Sequence, residues 1–184
     1  MSIKVKMYTE TTPNPNTLKF VTNQVLVESG SVDFPTLEST ISSELAQKLY
    51  DIDGVFGVFF SNDFVTVTKN GADWSSLIPQ VKETIKTHLE AGNPVISDES
   101  IIVKAIQGST DIETEIIKII DTEIRPAVAM DGGDIIFRGY SEGVVALQMQ
   151  GSCSGCPSST ATLKQGIERR LKEVVPEVQE VIAI

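Results

Sequence analysis

Apolar and polar residues alternate over short runs in the first third of the chain, a pattern that predicts strands separated by turns. Residues 17–21 and 24–28 are expected to be two extended segments joined by a hairpin turn at residues 22–23. Residues 55–60 and 64–68 predict a second hairpin around a Ser-Asn-Asp turn. Four phenylalanines of this second hairpin are expected to lie in its core: Phe56, Phe59, Phe60 and Phe64.

Two segments of the first half repeat apolar residues every four positions, as one face of a helix does. The first covers residues 42–50 and includes Leu45 and Leu49. The second covers residues 73–91, and its apolar stripe consists of Leu77, Val81, Ile85 and Leu89. His88 lies one position before the last of these leucines, so the pattern predicts a partly exposed histidine without a functional role.

The second half of the chain begins with a predicted helix followed by a hairpin. Residues 109–113 supply helix-capping side chains, and the helix that follows carries an isoleucine stripe of Ile112, Ile116, Ile119 or Ile120, and Ile124. The Asp-Gly-Gly-Asp sequence at residues 131–134 is typical of a turn that ends a helix, since it lacks the ligand spacing of a calcium loop. Residues 135–140 and 144–149 then predict two strands joined by a short loop.

A cysteine loop, another helix and a last strand complete the chain. Pro157 suits the first turn of a helix, because proline has no N–H to leave unpaired there. Leu163, Ile167 and Leu171 repeat at four-residue spacing, and residues 178–184 predict the last strand. The order of elements predicts an α+β fold of two small domains, each a small sheet packed with helices on one face.

A length of 184 residues suits one large domain or two small ones. Pro94 and Gly108 interrupt the segment after the long helix, which is therefore the expected seam between domains. We expect an N-terminal domain over residues 1–92, a linker over 93–108 and a C-terminal domain over 109–184.

Composition and charge exclude some classes of function. Apolar residues make up 41% and charged residues 22% of the chain, as in ordinary globular proteins. A net charge of -10 argues against nucleic-acid binding by the chain as a whole, since phosphate contacts need clustered lysine and arginine. No stretch is long and apolar enough for a membrane helix, and the first residues lack a signal-peptide pattern. The expectation is an unprocessed cytosolic protein.

The chain has two cysteines, Cys153 and Cys156, which carry most of the chemical information. Two thiols three residues apart in a glycine-containing loop can bind one metal ion or cluster. They supply only half of the four ligands that structural zinc sites and 4Fe-4S clusters take, whereas a symmetric dimer with facing loops would supply all four. The helix start after Cys156 would stabilise the negative charge of such a cluster and lower the pKa of the thiols.

Spacing alone leaves other interpretations open. A Cys-x-x-Cys pair also serves thioredoxin-like dithiol oxidoreductases, in which it lies at the start of a helix in a βαβ unit, whereas Ser154 and Gly155 are expected in a hairpin-to-helix loop. A structural zinc-bridged dimer and a pair of incidental buried cysteines are the remaining alternatives. Residues 151–172, the one locally basic stretch of the chain, fit a solvated helix face as well as a surface for a partner.

Longer motifs resemble a known family. The sequences MDGGDIIF at residues 130–137, GSCSGCPSST at 151–160 and LKQGIERRL at 163–171 resemble the NifU-like C-terminal domain of the Nfu family. The sequence TPNPNTLKF at residues 12–20 is similar to the start of that family's N-terminal domain. These matches bracket nearly the whole chain, in the domain order of full-length Nfu proteins.

The resemblance implies an iron-sulfur cluster carrier or scaffold, with no enzymatic activity because cluster transfer is not substrate turnover. It implies a 4Fe-4S cluster held between the two subunits of a homodimer by Cys153 and Cys156 of each. Its partners would be upstream cluster assembly proteins and apo iron-sulfur proteins, and its N-terminal domain would serve partner recognition. Because mitochondrial members carry a targeting peptide that is not seen here, the expected location is a bacterial cytoplasm.

Overall fold

The computed structural model describes residues 4–102, 108–154 and 157–184, without the side chains of residues 157–159. The described residues form two compact units, and the boundary between the units falls among residues 103–107, outside the described ranges. Each unit is a small sheet with helices packed on one face, which confirms the expected α+β class. In the described ranges, no helix is both long and apolar enough to cross a bilayer.

Five strands form the antiparallel sheet of the N-terminal unit, in the spatial order β1-β2-β5-β4-β3. Phe20 pairs with Val65, and Val58 pairs with Val67, so these four side chains mark the centre of the sheet. The strands are β1 (Met7–Thr11), β2 (Thr17–Thr22), β3 (Val32–Phe34), β4 (Val55–Phe60) and β5 (Phe64–Lys69).

The expected hairpin at residues 22–23 is wrong, because β2 pairs with β1 and β5 instead. Residues 24–28 are not a strand. The Thr22 hydroxyl accepts from the Gln24 N–H and donates to the Gln24 carbonyl, which bends the chain locally. Beyond this bend, the Leu26 N–H donates to the carbonyl of Asn62, in the turn between β4 and β5.

Two α-helices cover one face of this sheet: α1 (Glu44–Tyr50) and α2 (Trp74–Glu90). Two short 3₁₀ helices span Leu37–Ser42 and Glu99–Ile101. The predicted stripes of both α-helices are buried against alternate residues of the sheet. Val95 is buried in the same core, so the compact unit extends past residue 92. The expected domain boundaries at residues 92 and 108 stay a prediction.

Two side chains of this unit lie where the pattern did not expect them. His88 is only 1% exposed, because it faces the segment after α2, and its Nε2 lies 3.0 Å from the Pro94 carbonyl oxygen. Phe56 is 60% exposed, unlike Phe59, Phe60 and Phe64, which are buried as predicted.

The C-terminal unit has the predicted order helix, hairpin, helix, strand. Its sheet runs β6-β7-β8, with β6 and β7 antiparallel and β8 parallel to β7. The helices are α3 (Asp111–Ile119), α4 (Arg125–Met130) and α5 (Pro157–Val174), with a π-helical turn, Ile120–Ile124, between α3 and α4. The strands are β6 (Gly133–Ser141), β7 (Val144–Gly151) and β8 (Glu180–Ala183).

The π-helical turn explains the ambiguous isoleucine spacing. Ile119 and Ile120 are both buried, because the wider turn brings two consecutive residues onto the core face. The Arg125 N–H donates to the Ile120 carbonyl, which closes this turn, and α4 continues from there towards β6.

Candidate functional site

The cysteine loop begins at the end of β7 and is tied to the turn that precedes β6. Gly133 and Gly151 form the last residue pair of the β6–β7 hairpin. Beyond it, the Ser152 N–H donates to the Gly132 carbonyl at 3.2 Å, and the Ser152 hydroxyl donates to the Asp131 carbonyl. The Asp-Gly-Gly-Asp sequence therefore turns the chain after α4, as predicted, and also anchors the cysteine loop.

Cys153 is fixed on its other side by the start of α5. The Thr160 hydroxyl donates to the Cys153 carbonyl at 2.9 Å, and the Ser154 N–H donates to the Gly151 carbonyl at 3.1 Å. The backbone of Cys153 is thus held between the turn before β6 and the first turns of α5. The second predicted site residue, Cys156, lies outside the described residues.

The thiol of Cys153 packs into the core of the C-terminal unit and is 5% exposed. It lies directly over Gly133: a Cβ atom at that position would be 2.5 Å from the Cys153 sulfur and 2.7 Å from the Gln150 carbonyl oxygen. Real Cβ atoms essentially never come this close to another heavy atom. The space for the sulfur therefore depends on glycine at residue 133.

Burial raises the pKa of the Cys153 thiol to about 11. A hydrogen-bond contact with the Ser152 hydroxyl acts in the opposite direction, while the negative charges of Asp131 and Asp134 raise the pKa further. The expected lowering of the thiol pKa by the helix start is therefore wrong for Cys153. In this structure the thiol is neutral at physiological pH.

An ion pair holds the turn beneath the loop. Arg125 donates to both carboxylate oxygens of Asp134, at 2.8 and 2.7 Å, and to Asp121 at 3.1 Å. Its hydrogen bonds to Asp134 raise the pKa of Arg125 above its ordinary value, so the guanidinium stays charged. Because Arg125 begins α4 and Asp134 lies in β6, the pair joins the two ends of the turn that anchors Ser152.

Sequence reasoning missed Arg125 and Gly133 as parts of this site and treated Asp134 only as a turn residue. The spacing of the two cysteines contains no information on the residues beneath them. The MDGGDIIF motif contains Gly133 and Asp134 and is the signal that could have found them, whereas Arg125 precedes the motif.

The parallel pairing of β7 and β8 bears on the thioredoxin-like alternative. The cysteine loop joins β7 to α5, and α5 leads to β8, so the loop lies within a βαβ unit. The expected topological difference from thioredoxin-like proteins is therefore wrong. The raised pKa of Cys153 bears on one point only: in a dithiol oxidoreductase Cys153 would not be the thiol that ionises readily.

The described residues contain no group of three or more His, Cys, Asp or Glu side chains placed to hold a metal ion. A metal ion bound at Cys153 would therefore need further ligands, from Cys156 or from another chain. The locally basic stretch after the loop is neutralised within its own unit, because each of its four basic side chains pairs with a glutamate: Lys164 with Glu180, Arg169 with Glu173, Arg170 with Glu123 and Lys172 with Glu168. These pairs favour the solvated helix face over the partner surface.

Two family matches cover the chain, one in each unit. Residues 7–92 match the family described as scaffold protein Nfu/NifU N terminal, and residues 116–182 match the NifU-like domain. The human protein named NFU1 iron-sulfur cluster scaffold homolog, mitochondrial, is 43% identical over 94% of this chain and 69% of its own length. The chain belongs to the Nfu family.

Further proteins are similar to this Nfu chain. NifU-like protein 4, mitochondrial, of Arabidopsis thaliana is 42% identical over 94% of this chain and 64% of its own length. A NifU-like protein of Saccharomyces cerevisiae, solved by NMR, is 28% identical, with a TM-score of 0.45 over 52% of this chain and 87% of that one. Because the human, Drosophila and Arabidopsis relatives are named as mitochondrial, the expectation of a bacterial cytoplasmic protein is wrong.

Proposed function

We propose that this Nfu chain is an iron-sulfur cluster carrier that binds a 4Fe-4S cluster between two copies of itself and transfers it to apo-proteins. Cys153 and Cys156 of each copy would be the four ligands. The observation that carries the proposal is the number of cysteines, two in the whole chain. One pair is half of the ligand set of a cuboidal cluster, so a symmetric dimer is the simplest complete site.

The donor chemistry of the chain fits this cargo. Thiolates are the usual ligands of iron-sulfur clusters, and the chain has one histidine, whose Nε2 already contacts the Pro94 carbonyl in the N-terminal unit. Cys153 follows the end of a strand and precedes a helix, and its backbone is fixed on both sides. The fixed backbone keeps the sulfur over Gly133, so a cluster would have to draw it out of the core.

The competing dithiol oxidoreductase is less well supported. Attack on a disulfide needs a thiolate, and Cys153, with a pKa of about 11, is almost fully protonated at neutral pH, so such an enzyme would have to use Cys156 for the attack. A zinc-bridged dimer would use the same four thiolates, and metal analysis distinguishes it from the cluster.

We propose the mitochondrial compartment for this chain, as the names of its relatives support, and a role without catalysis. The partners would be assembly proteins that supply the cluster and apo-proteins whose more enclosed cysteine sites accept it by stepwise thiolate exchange.

Anaerobic reconstitution of the full chain with iron and sulfide tests the proposal. We expect broad absorption near about 400 nm from thiolate-to-iron charge transfer, and about four iron and four sulfide ions per two chains. Native mass spectrometry should show a dimer that carries the cluster. A zinc-bridged dimer would instead contain tightly held zinc and no sulfide.

The cysteine variants give the control. Cys153→Ser and Cys156→Ser should each lose the cluster, whereas Ser109→Ala, a serine of the same unit remote in sequence from the loop, should retain it. A monomer that holds a complete cluster, or a Cys153→Ser variant with unchanged iron and sulfide, would contradict the proposal.

A further inference from the structure

The N-terminal unit exposes apolar side chains at one edge of its sheet. Phe56 in β4 is 60% exposed, and Leu37 in the first 3₁₀ helix is 54% exposed. The last residue pair of the antiparallel strands β3 and β4 is Phe34–Val58; Leu37 follows this pair in the chain by three residues, and Phe56 precedes it by two. Leu37 and Phe56 therefore lie at the same end of the β3–β4 pair.

The side chain of Phe56 is directed outward by an irregularity in β4. Val55 pairs with Lys69 and Gly57 pairs with Thr68, so Phe56 has no pairing partner on β5. Such a bulge re-aims the side chain of the extra residue, and bulges are frequent where a strand serves a binding site. A phenylalanine placed this way leaves most of its ring in water, which is costly unless a partner covers it.

A tyrosine hydroxyl fixes this edge. Tyr50 Oη donates to the carbonyl of Phe34 at 2.6 Å and lies 3.0 Å from the carbonyl of Phe56. Burial raises the pKa of Tyr50 to about 12, and the negative charges of Asp33 and Glu38 add to the shift. The two carboxylates therefore lie close to the same hydroxyl that joins β3 and β4.

The surroundings of these apolar side chains are acidic. Asp51 and Asp53, both exposed, lie in the turn that leads into β4 and add to the charges of Asp33 and Glu38. Two lysines belong to the neighbouring elements: Lys48 of α1 is 2.7 Å from Glu44, and Lys69, the β5 partner of Val55, lies over the Trp74 ring. Glu38 itself makes no salt bridge within the described part of the chain.

We propose that this surface, the Phe56 face (Asp33, Leu37, Glu38, Tyr50 and Phe56), docks a partner protein through a segment that combines apolar and cationic side chains. Apolar side chains of the partner would cover Phe56 and Leu37. Its lysines or arginines would lie against the carboxylates, which select against acidic partners and against anionic membranes. This inference does not depend on the cluster site, which lies in the other unit.

A synthetic amphipathic peptide of leucine and lysine is the probe, and the same peptide with glutamate in place of lysine is its control. Both are titrated into the isotope-labelled, cluster-free full chain and followed by NMR. We expect the lysine peptide to shift the amide signals of Leu37, Glu38 and Phe56, and its affinity to fall as salt rises. The glutamate peptide should leave these signals in place.

Two variants test the face itself. Phe56→Ser should weaken the lysine peptide about tenfold, as removal of an aromatic anchor does. Glu38→Gln should weaken it about two- to threefold at low salt and not at high salt, as expected for an exposed charge. The matched controls are Val25→Ser and Glu28→Gln. Val25 is 64% exposed, and the segment it shares with Glu28 contacts the other end of β4, roughly 20 Å along the strand.

Equal weakening by Val25→Ser and Phe56→Ser would overturn the proposal, since it would show general adhesion of a cationic peptide to an acidic protein. Equal binding of the glutamate peptide would also overturn it, because the carboxylates would then have no selective role. Sedimentation of the chain alone supplies a third outcome: self-association abolished by Phe56→Ser would assign the face to a second copy of this chain instead. Chemical-shift maps of each variant confirm that the fold is retained.

Discussion

Gly133→Ala adds one methyl group at the point where β6 starts beneath the cysteine loop. The new Cβ atom would lie 2.5 Å from the Cys153 sulfur and 2.7 Å from the Gln150 carbonyl oxygen. That carbonyl belongs to β7, whose register with β6 is fixed by the pairs Gly133–Gly151 and Asp134–Gln150. The strand cannot yield alone, so we expect the methyl group to displace the Cys153 side chain and to open the end of the hairpin.

Extra volume in a well-packed core costs about 1–3 kcal/mol of unfolding free energy. In a unit of this size each kcal/mol lowers the melting temperature by roughly 4–8 °C, so a loss of about 1–3 kcal/mol should make the C-terminal unit melt about 4–24 °C earlier. Differential scanning calorimetry of the cluster-free full chain measures this shift. The N-terminal unit contains the one tryptophan, Trp74, whose fluorescence should report an unchanged transition and serve as the internal reference.

Gly166→Ala is the matched control in the same unit. A Cβ atom there would meet no heavy atom within 4 Å, and Gly166 lies inside α5, where alanine is favoured over glycine by up to about 1 kcal/mol. The same chemical change should therefore raise the melting temperature at residue 166 and lower it at residue 133. An unchanged transition in Gly133→Ala would refute the claim that the sulfur needs this space.

Three further predictions concern single interactions. Arg125→Ala leaves the buried Asp134 carboxylate without the partner that donates two hydrogen bonds to it, and urea unfolding should show a loss of about 2–4 kcal/mol of unfolding free energy. The double variant Arg125→Met with Asp134→Leu should recover most of this loss. Equal losses in the single and double variants would contradict the pairing argument. Folding raises the pKa of Cys153 from 9.0 to about 11, so the contribution of the neutral thiol to the free energy of unfolding is present below pH 9 and is lost as the pH rises to about 11. Unfolding measured across this pH range should show the loss, and Cys153→Ala should not show it. Ser43→Ala removes the cap of α1 and the donor to the Val95 carbonyl, and melting should show a loss of about 1–3 kcal/mol if both bonds matter.

Helices were predictable from this sequence because their apolar stripes are local. The spacing predicted a helix over residues 73–91, and α2 spans Trp74–Glu90. The isoleucine stripe was equally clear, and its undecided choice between Ile119 and Ile120 was the sequence signature of the π-helical turn. Apolar periodicity indicates which residues face the core, and it does so in a π-helical turn as well as in an α-helix.

Strand partners were less predictable, because pairing joins residues far apart in sequence. β1 and β3 were missed, being an edge strand of five residues and an edge strand of three. Residues 24–28 have strand composition, yet side-chain hydrogen bonds of Thr22 bend the chain before them. Phe56 was expected in the core for its residue type, and an irregular register, invisible in composition, directs it outward.

The candidate site, like the fold, was only partly predictable from the sequence. Cysteine spacing identified the thiols, but the environment of Cys153 depends on contacts brought by the hairpin and by the turn before it. Gly133 lies 20 positions before Cys153 and still sets the space for its sulfur. The rise in the thiol pKa follows from burial, which no local pattern reports. Sequence reasoning could name the ligand candidates, whereas the packing around Cys153 arises only in the folded chain.

The buried state of Cys153 has a consequence for the proposed transfer of a cluster. A thiol that binds iron must lose its proton and contact the metal, yet in this structure it is 5% exposed and its pKa is about 11. Loading would therefore cost the free energy of deprotonating the thiol and withdrawing it from the core, and this cost is subtracted from the strength of the iron–sulfur bonds. Release would return the sulfur to the space over Gly133 and restore its proton. The same packing that stabilises the empty chain would thus weaken its hold on the cargo, which is what a carrier requires of its site.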